Sequence, residues 1–423
     1  MPRSPSKEEL PRLIRAAFPR PPPFVPGKSG VPLIGPGYGA EEVLEALDSL
    51  LSTHVTMGKK VGKFERAFAR YIGAPWGTMV NSGSSANLLA FRLLNLLDGN
   101  RRLRRGDEII TQAVTWSTSV FPILDAGARP VFVDLELPSY TLDVDQAQQA
   151  LSRKTKVLFP VHIMGMPSPL TALGEMAEDH GLALVEDACE AHGATIEGKR
   201  VGSFGDLSTF SFFFSHHMTT IEGGIVLGKR KDHENLSRSL RAHGWVRERS
   251  DRQSFIDRNP HIDSRFLFVS HGYNLRPTEI QAGFGLRQLP KLEGEIKARQ
   301  RNARILTKRL DGIPHLILPE EPPKGKCSWF GYPILVDERA PFSRAQFTSF
   351  LEKRRIQTRP IMGGNIAEQP ALRHTLYRKI GTLPNSRLIM RNGFFFGIHG
   401  GLGEEALEYL ASTIETFVKR RHG

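Results

Sequence analysis

Apolar residues fall along this chain in short dense runs, separated by longer stretches in which they recur every three or four positions. Thr78-Met-Val-Asn, Glu108-Ile-Ile-Thr, Pro130-Val-Phe-Val-Asp, Val157-Leu-Phe-Pro-Val, Ala183-Leu-Val-Glu-Asp, Ser208-Thr-Phe-Ser-Phe and Gly224-Ile-Val-Leu are mostly unbroken by polar alternation. That is the pattern of strands buried on both faces. Helical stretches such as 86–97 and 169–180 lie between several of them. The order predicts an α/β fold with a mostly parallel central sheet covered on both sides.

Residues 278–310 read as helix interrupted at Pro290, whose ring removes a backbone donor and crowds the preceding turn. Further on, 329–336 predicts a strand, and Ser343-Arg-Ala-Gln346 has the capping-box pattern of a helix start. Leu407, Leu410, Ile414 and Phe417 keep helical spacing in a last helix beginning near Glu404. The first segment differs: Pro19, Pro21, Pro22, Pro23, Pro26 and Pro32 favour an extended arm over a packed element. The expected organisation is an arm over 1–36, a large domain over 37–285 and a smaller C-terminal α/β domain over 286–423, with no internal repeat.

A length of 423 residues suits two such domains, and 40% hydrophobic with 24% charged residues is the content of an ordinary globule. No apolar run is long enough to cross a bilayer, and the basic, proline-rich start lacks the apolar core of a secretory signal, so a cytoplasmic protein is expected, with no membrane partner. The net charge of +13 is scattered, with clusters at 101–105 and 419–421 and neither zinc-ligand spacing nor stacking aromatics. It predicts no metal site and no nucleic-acid partner; a basic surface equally concentrates an anionic substrate such as a nucleotide diphosphate. Cys189 and Cys327 are the two cysteines, too few for a disulfide framework or a four-thiolate iron–sulfur cluster.

Several strings carry candidate chemistry. Asn81-Ser-Gly-Ser-Ser-Ala-Asn87 follows a strand and opens a helix, where free amides and the helix dipole make an anion site, with Gly83 allowing close approach and Ser84 beside it. A serine-rich N-cap turn is the plain alternative. Val185-Glu-Asp-Ala-Cys-Glu-Ala-His192 sets acidic residues Asp187 and Glu190 at a strand end, where an N-capping aspartate is the structural reading. Trp116 in Val114-Thr-Trp-Ser-Thr is either a core residue or a flat wall for an aromatic ligand. The most informative string is Phe210-Ser-Phe-Phe-Phe-Ser-His-His-Met-Thr-Thr-Ile-Glu-Gly-Gly224, and no lysine lies between Lys199 and Lys229.

These strings resemble the sugar aminotransferases of the DegT/DnrJ/EryC1/StrS family, whose pattern Ser-Phe, lysine, Glu-Gly-Gly carries the lysine that forms a Schiff base with pyridoxal phosphate (PLP). Here His216 stands at the lysine position, as in a branch of sugar-nucleotide 3-dehydratases. The resemblance covers nearly the whole chain after the arm and implies the aspartate-aminotransferase-like fold type I of PLP enzymes. It implies the cofactor phosphate at Gly83, Ser84 and Ser211, the pyridine nitrogen on Asp187, the ring against Trp116 and Glu190 near the ring. Asn274, in His271-Gly-Tyr-Asn, corresponds to a residue that reaches the neighbouring subunit's phosphate, which implies a homodimer. Arg359 and Asn365 in Thr358-Arg-Pro-Ile-Met-Gly-Gly-Asn365, His399 in Phe396-Gly-Ile-His, and His217 next to His216 are the implied substrate contacts.

Imidazole relays protons near neutral pH, with an unperturbed pKa of about 6.5, but forms no stable imine with an aldehyde. The implied cofactor is therefore held non-covalently and enters as pyridoxamine phosphate (PMP), with His216 as acid and base in removing the 3-hydroxyl of a 4-keto-6-deoxy sugar nucleotide, GDP-linked by preference. L-glutamate is the implied amino donor that restores PMP. With two cysteines, the cluster-free set of the branch is expected. An aminotransferase with its lysine moved elsewhere, and a non-catalytic cofactor-binding or sugar-binding regulator, are the other readings.

Overall fold

The computed structural model describes residues 9–19, 22–97, 99 and 101–422. All seven dense runs form strands: β1 (Trp76–Val80), β2 (Glu108–Gln112), β3 (Arg129–Val133), β4 (Thr155–Leu158), β5 (Ala183–Asp187), β6 (Leu207–Ser211) and β7 (Gly224–Gly228). The C-terminal part adds β8 (Leu316–Ile317), β9 (Tyr332–Val336), β10 (Thr358–Pro360), β11 (Arg378–Lys379) and β12 (Gly393–Phe396). The large sheet has the order β1-β7-β6-β5-β4-β2-β3-β11. Its strands from β6 through β11 pair in parallel, while β7 runs antiparallel to both β1 and β6. Every residue of β1, β2, β5, β6 and β7 is buried, which is why these runs show no polar alternation. A smaller antiparallel sheet has the order β8-β9-β12-β10.

The arm is only partly extended. Helix α1 (Glu9–Ala16) places Leu10, Leu13 and Ile14 along one stripe, lies against α2 (Ala40–Leu51), and its Arg15 donates to Glu41 at 2.9 Å. The prolines that predict extension begin at Pro19, and Pro11 falls in the first helical turn, where proline is tolerated. Among them residues 26–28 form a turn, and Val31 packs instead of standing free: it is fully buried, its N–H donates to the Arg355 carbonyl at 2.8 Å, and its carbonyl accepts from Gln357 N–H at 3.0 Å.

Helices α3 (Lys59–Ile72), α4 (Gly83–Leu96), α5 (Ser117–Asp125) and α6 (Leu170–Asp179) follow. Phe64 and Phe68 of α3 pack edge-on against Phe210 and Phe212 around the end of β6. One buried ion pair locks this layer: Glu65 accepts from Met79 N–H at 2.9 Å and from Arg241 at 2.5 Å, and Arg241 also donates to the Met79 carbonyl at 2.7 Å. Helices α7 (Glu279–Gln288) and α8 (Leu292–Leu310) are separated by a tight turn holding Pro290, as the sequence predicts. Helix α9 (Arg344–Glu352) opens with the expected capping box: Ser343 accepts from Gln346 N–H at 3.2 Å and Gln346 from Ser343 N–H at 2.9 Å. Helix α10 (Glu404–His422) closes the chain as described. None of these helices is long and apolar enough to cross a membrane.

Candidate active site

A cavity of about 650 Å³ opens where β1, β5 and β6 end, the position at which ligands bind in parallel sheets. Gly83, Ser84, Trp116, Asp187, Glu190, Ser211, His216 and Arg359 all line it, so residues separated by up to 276 positions in sequence share one wall. One end is built by the turn from β1 into α4. Ser82 is extended (φ −164°) and its hydroxyl accepts from Ser85 N–H at 3.1 Å, leaving the first-turn amides of Gly83 and Ser84 without intrahelical partners. A side chain at Gly83 would put its Cβ 2.4 Å from the Ser211 Cβ, so glycine lets the last residue of β6 bring its hydroxyl against the helix start. Two amides at a positive helix end and two serine hydroxyls form a donor set for an anion, and the cofactor phosphate fits them.

Asp187 ends β5, is 3% exposed, and is held on both oxygens. Oδ2 accepts from Asn87 at 2.9 Å and Ser119 at 2.8 Å, and Oδ1 accepts from Cys189 N–H at 3.1 Å. A further layer fixes these donors: Thr209 donates to Asn87 Oδ1 at 2.6 Å, Asn87 Nδ2 also donates to the Thr118 carbonyl at 3.1 Å, and Thr115 donates to Ser119 at 2.9 Å. A buried carboxylate aimed in this way suits a protonated ring nitrogen. Trp116 precedes α5 and is 57% exposed, which leaves a large flat apolar face toward the cavity. Glu190 accepts from Met164 N–H at 2.9 Å, with Met164 in the left-handed region (φ 56°). Burial, and then the negative charge of Asp187, push the Glu190 carboxyl up to about 8, so at neutral pH it carries a proton to donate.

His216 sits in the loop after β6, where its N–H closes a turn onto the Phe213 carbonyl at 3.0 Å. Its ring lies 5.3 Å from that of Phe330, and its Nδ1 is buried without a hydrogen-bond partner. Burial first, and the Arg299 charge second, hold its pKa down at about 3, so the imidazole is neutral near pH 7. Among the described residues no lysine lines the cavity. Arg359 is the cation on the wall, with Nη1 donating to the Thr358 carbonyl at 2.8 Å.

The remaining sequence candidates lie elsewhere. His217 turns away from its neighbour, with Nε2 3.0 Å from the Ser328 carbonyl, and together with His399 it lines a second, smaller chamber on the other side of His216. Asn365, expected at the substrate, is 1% exposed and points into its own turn, accepting from Ala367 N–H at 3.2 Å and donating to Glu368 at 3.2 Å. The turn it caps claims both ends of its amide, and its backbone pairs with Val114 two residues before Trp116. Asn274 does not line this chain's cavity; its Oδ1 accepts from Arg276 at 2.9 Å and its backbone pairs with Ala242. Sequence reasoning assigned no role to Asn87, Ser119 and Thr209, because their contacts around Asp187 and Asn87 span 68 to 122 positions and form only in the fold. Both cysteines are free, and no group of three potential metal ligands occurs among the described residues.

The model of the DegT/DnrJ/EryC1/StrS aminotransferase family matches residues 37–415. A Saccharopolyspora spinosa protein named dTDP-4-dehydro-2,6-dideoxy-D-glucose 3-dehydratase is 37% identical over 410 residues, 94% of this chain and 89% of that protein. The solved Escherichia coli GDP-4-keto-6-deoxy-D-mannose-3-dehydratase with bound hydrated PLP superposes with a TM-score of 0.84 at 32% identity, over 91% of this chain and 99% of that one. A GDP-4-keto-6-deoxymannose-3-dehydratase with a trapped PLP–glutamate geminal diamine gives 0.85 at 31% identity, over 91% and 100%. The fold is type I of the PLP-dependent enzymes, and the chain belongs to the DegT/DnrJ/EryC1/StrS aminotransferase family.

Proposed function

We propose that this chain is a cluster-free PLP/PMP-dependent 3-dehydratase of a 4-keto-6-deoxy sugar nucleotide, with L-glutamate as amino donor. One observation supports the reading: His216, which stands where the motif it resembles has lysine, is buried with an unpartnered Nδ1 on a cavity whose described lining contains no lysine. Lys291 lines the second chamber and is paired with Glu42, which argues against its being a relocated aminotransferase lysine.

When bound, the cofactor supplies the electron sink for breaking the bond to the 3-hydroxyl. The amides and hydroxyls of Gly83, Ser84 and Ser211 take its phosphate, Asp187 its ring nitrogen and Trp116 its face, while Glu190, protonated at neutral pH, is a donor on the same cavity wall. With no covalent anchor, these contacts alone retain it. His216 accepts a proton at the cofactor and returns it to the departing hydroxyl, work that positioned acid–base groups accelerate by roughly 10²- to 10⁴-fold. Arg359 is the proposed substrate contact, because His217, His399 and Asn365 do not line this cavity. Asn274 belongs to the proposed homodimer, acting across to the second subunit's phosphate. The protein so proposed is cytoplasmic, and GDP is the favoured nucleotide, as in the enzymes whose structures superpose on this chain.

The test is mass spectrometry of the product after incubation with PMP, L-glutamate and either GDP-4-keto-6-deoxy-mannose or its dTDP-linked counterpart. Loss of the hydroxyl with release of ammonia supports dehydration. A retained hydroxyl with a new amine identifies an aminotransferase, and no turnover with either substrate favours a binding protein.

A further inference from the structure

His216 also lines a second chamber of about 250 Å³, with His217, Gln288, Lys291, Glu295 and His399 on its walls. Its inner part is rich in hydrogen-bonding atoms that reach nothing. His217 and His399 are 5% and 3% exposed; His217 Nδ1 and His216 Nδ1 are buried without a partner, and the His399 ring nitrogens are buried beside the Pro32 backbone. Buried polar atoms of this kind are met by protein groups or by water, and a chamber of this volume has room for several waters at about 30 Å³ each. The His399 ring is held by backbone on two sides: a Cβ at Gly35 would fall 2.6 Å from its Nδ1, and one at Gly401 would fall 3.1 Å away.

We infer that this chamber is a water-filled path by which His216 exchanges its proton with solvent, with His217 and His399 as the positioning residues that order the water. The tautomers support it. His217 Nε2 faces the Ser328 carbonyl and so carries the hydrogen, which leaves Nδ1 as a fixed acceptor for water. Burial keeps the His399 ring neutral, and with the Pro32 backbone beside one of its nitrogens the other is left to accept from water.

The path ends in charge. Lys291, paired with Glu42, has a side chain 54% exposed, and Glu295, paired with Arg299, has one 28% exposed. The other charged and titratable neighbours are accounted for. Arg299 is also tied to the Trp329 and Phe330 carbonyls at 3.0 and 2.9 Å, and the His192 ring lies 6.1 Å from His216 and 5.4 Å from His217.

This inference rests on His216 being the acid–base group, and the experiment separates the two. The PLP-loaded full-length enzyme is given L-glutamate in D₂O, and deuterium at the glutamate α-carbon is counted by NMR per turnover to 2-oxoglutarate. Wild type should show wash-in several-fold above one atom per turnover, and His399→Phe, which fills the chamber, should lower that ratio about tenfold or more, with His399→Asn between them. An unchanged ratio in His399→Phe overturns the path. His216→Asn addresses the underlying reading alone: it should abolish both exchange and turnover, and unchanged turnover would overturn the catalytic assignment. Independently of any variant, a high-resolution crystal structure of the wild type should show ordered water on His217 Nδ1 and on His399, and a dry chamber overturns the proposal.

Discussion

Replacing Asn87 by alanine tests the support of Asp187 directly. Asn87 is 2% exposed and makes three hydrogen bonds: to Asp187 at 2.9 Å and from Thr209 at 2.6 Å, both buried, and to the part-buried Thr118 carbonyl at 3.1 Å. A bond to a charged acceptor contributes about 1.5–3 kcal/mol and each neutral one about 1 kcal/mol. The sum is about 4 kcal/mol. Orphaning is limited, because Thr209 keeps a 3.3 Å contact with the Glu186 carbonyl and Asp187 keeps Ser119 at 2.8 Å.

Urea unfolding of the apo protein at fixed protein concentration reads the loss as a lower midpoint at unchanged slope. The carboxylate also loses one of the donors that aim it, so PLP should bind more weakly. At 100 times the wild-type dissociation constant a ligand stabilises by about 2.7 kcal/mol, and the variant should gain visibly less from the same addition. The double variant with Ser119→Ala should be non-additive, since both donate to one oxygen. A single-variant loss below about 1 kcal/mol with unchanged PLP stabilisation would refute the reasoning.

Gly83→Ala brings a Cβ to 2.4 Å from the Ser211 Cβ and should weaken PLP at least tenfold in an absorbance titration, while far-UV circular dichroism stays native. Glu65→Ala leaves the Arg241 guanidinium, 4% exposed, with the Met79 carbonyl at 2.7 Å and, as its remaining carboxylate, Glu248 at 3.9 Å, and should cost about 3–5 kcal/mol in urea. His216 has a folded pKa of about 3, depressed by burial and then by Arg299, against about 6.5 unfolded. The unfolded state therefore binds the extra proton, and the stability tied to neutral His216 is whole above pH ~6.5 and lost as pH falls toward 3. Between pH 7 and 5 the wild type should lose up to about 2 kcal/mol more than His216→Asn, by urea midpoint at each pH. Borohydride reduction of the PLP-loaded protein followed by peptide mapping should find no pyridoxyl-lysine, because no lysine lines the described cavity wall.

The large sheet was legible because burial on both faces leaves no polar alternation: all five residues of β5 and of β6 are buried, and both read as strands from their apolar runs. The capping box at Ser343 and the break at Pro290 were legible because each is a local property of a few neighbouring residues. The helix Glu9–Ala16 was not, since the later prolines dominated the reading of the whole arm while its apolar stripe spans only two turns.

Within the site, the residue types and their order in motifs were enough to name Gly83, Asp187, Ser211 and His216, all of which converge on one cavity. The direction in which a side chain points is not written in a motif. His216 and His217 are adjacent, yet one faces the cofactor cavity and the other the Ser328 carbonyl. Asn365 matches a family string, yet its amide is used up by its own turn. Asn87, Thr209 and Ser119 are ordinary polar residues until three separate elements bring them around Asp187.

Local chemistry thus set the elements and the family and singled out His216 as the proposed proton carrier, because a substitution of lysine by histidine removes the amine that an imine needs. Orientation, burial and the protonation states that follow needed the folded chain. They arise from contacts such as Arg299 near His216 and Asp187 near Glu190, between groups that packing and not sequence spacing brings together.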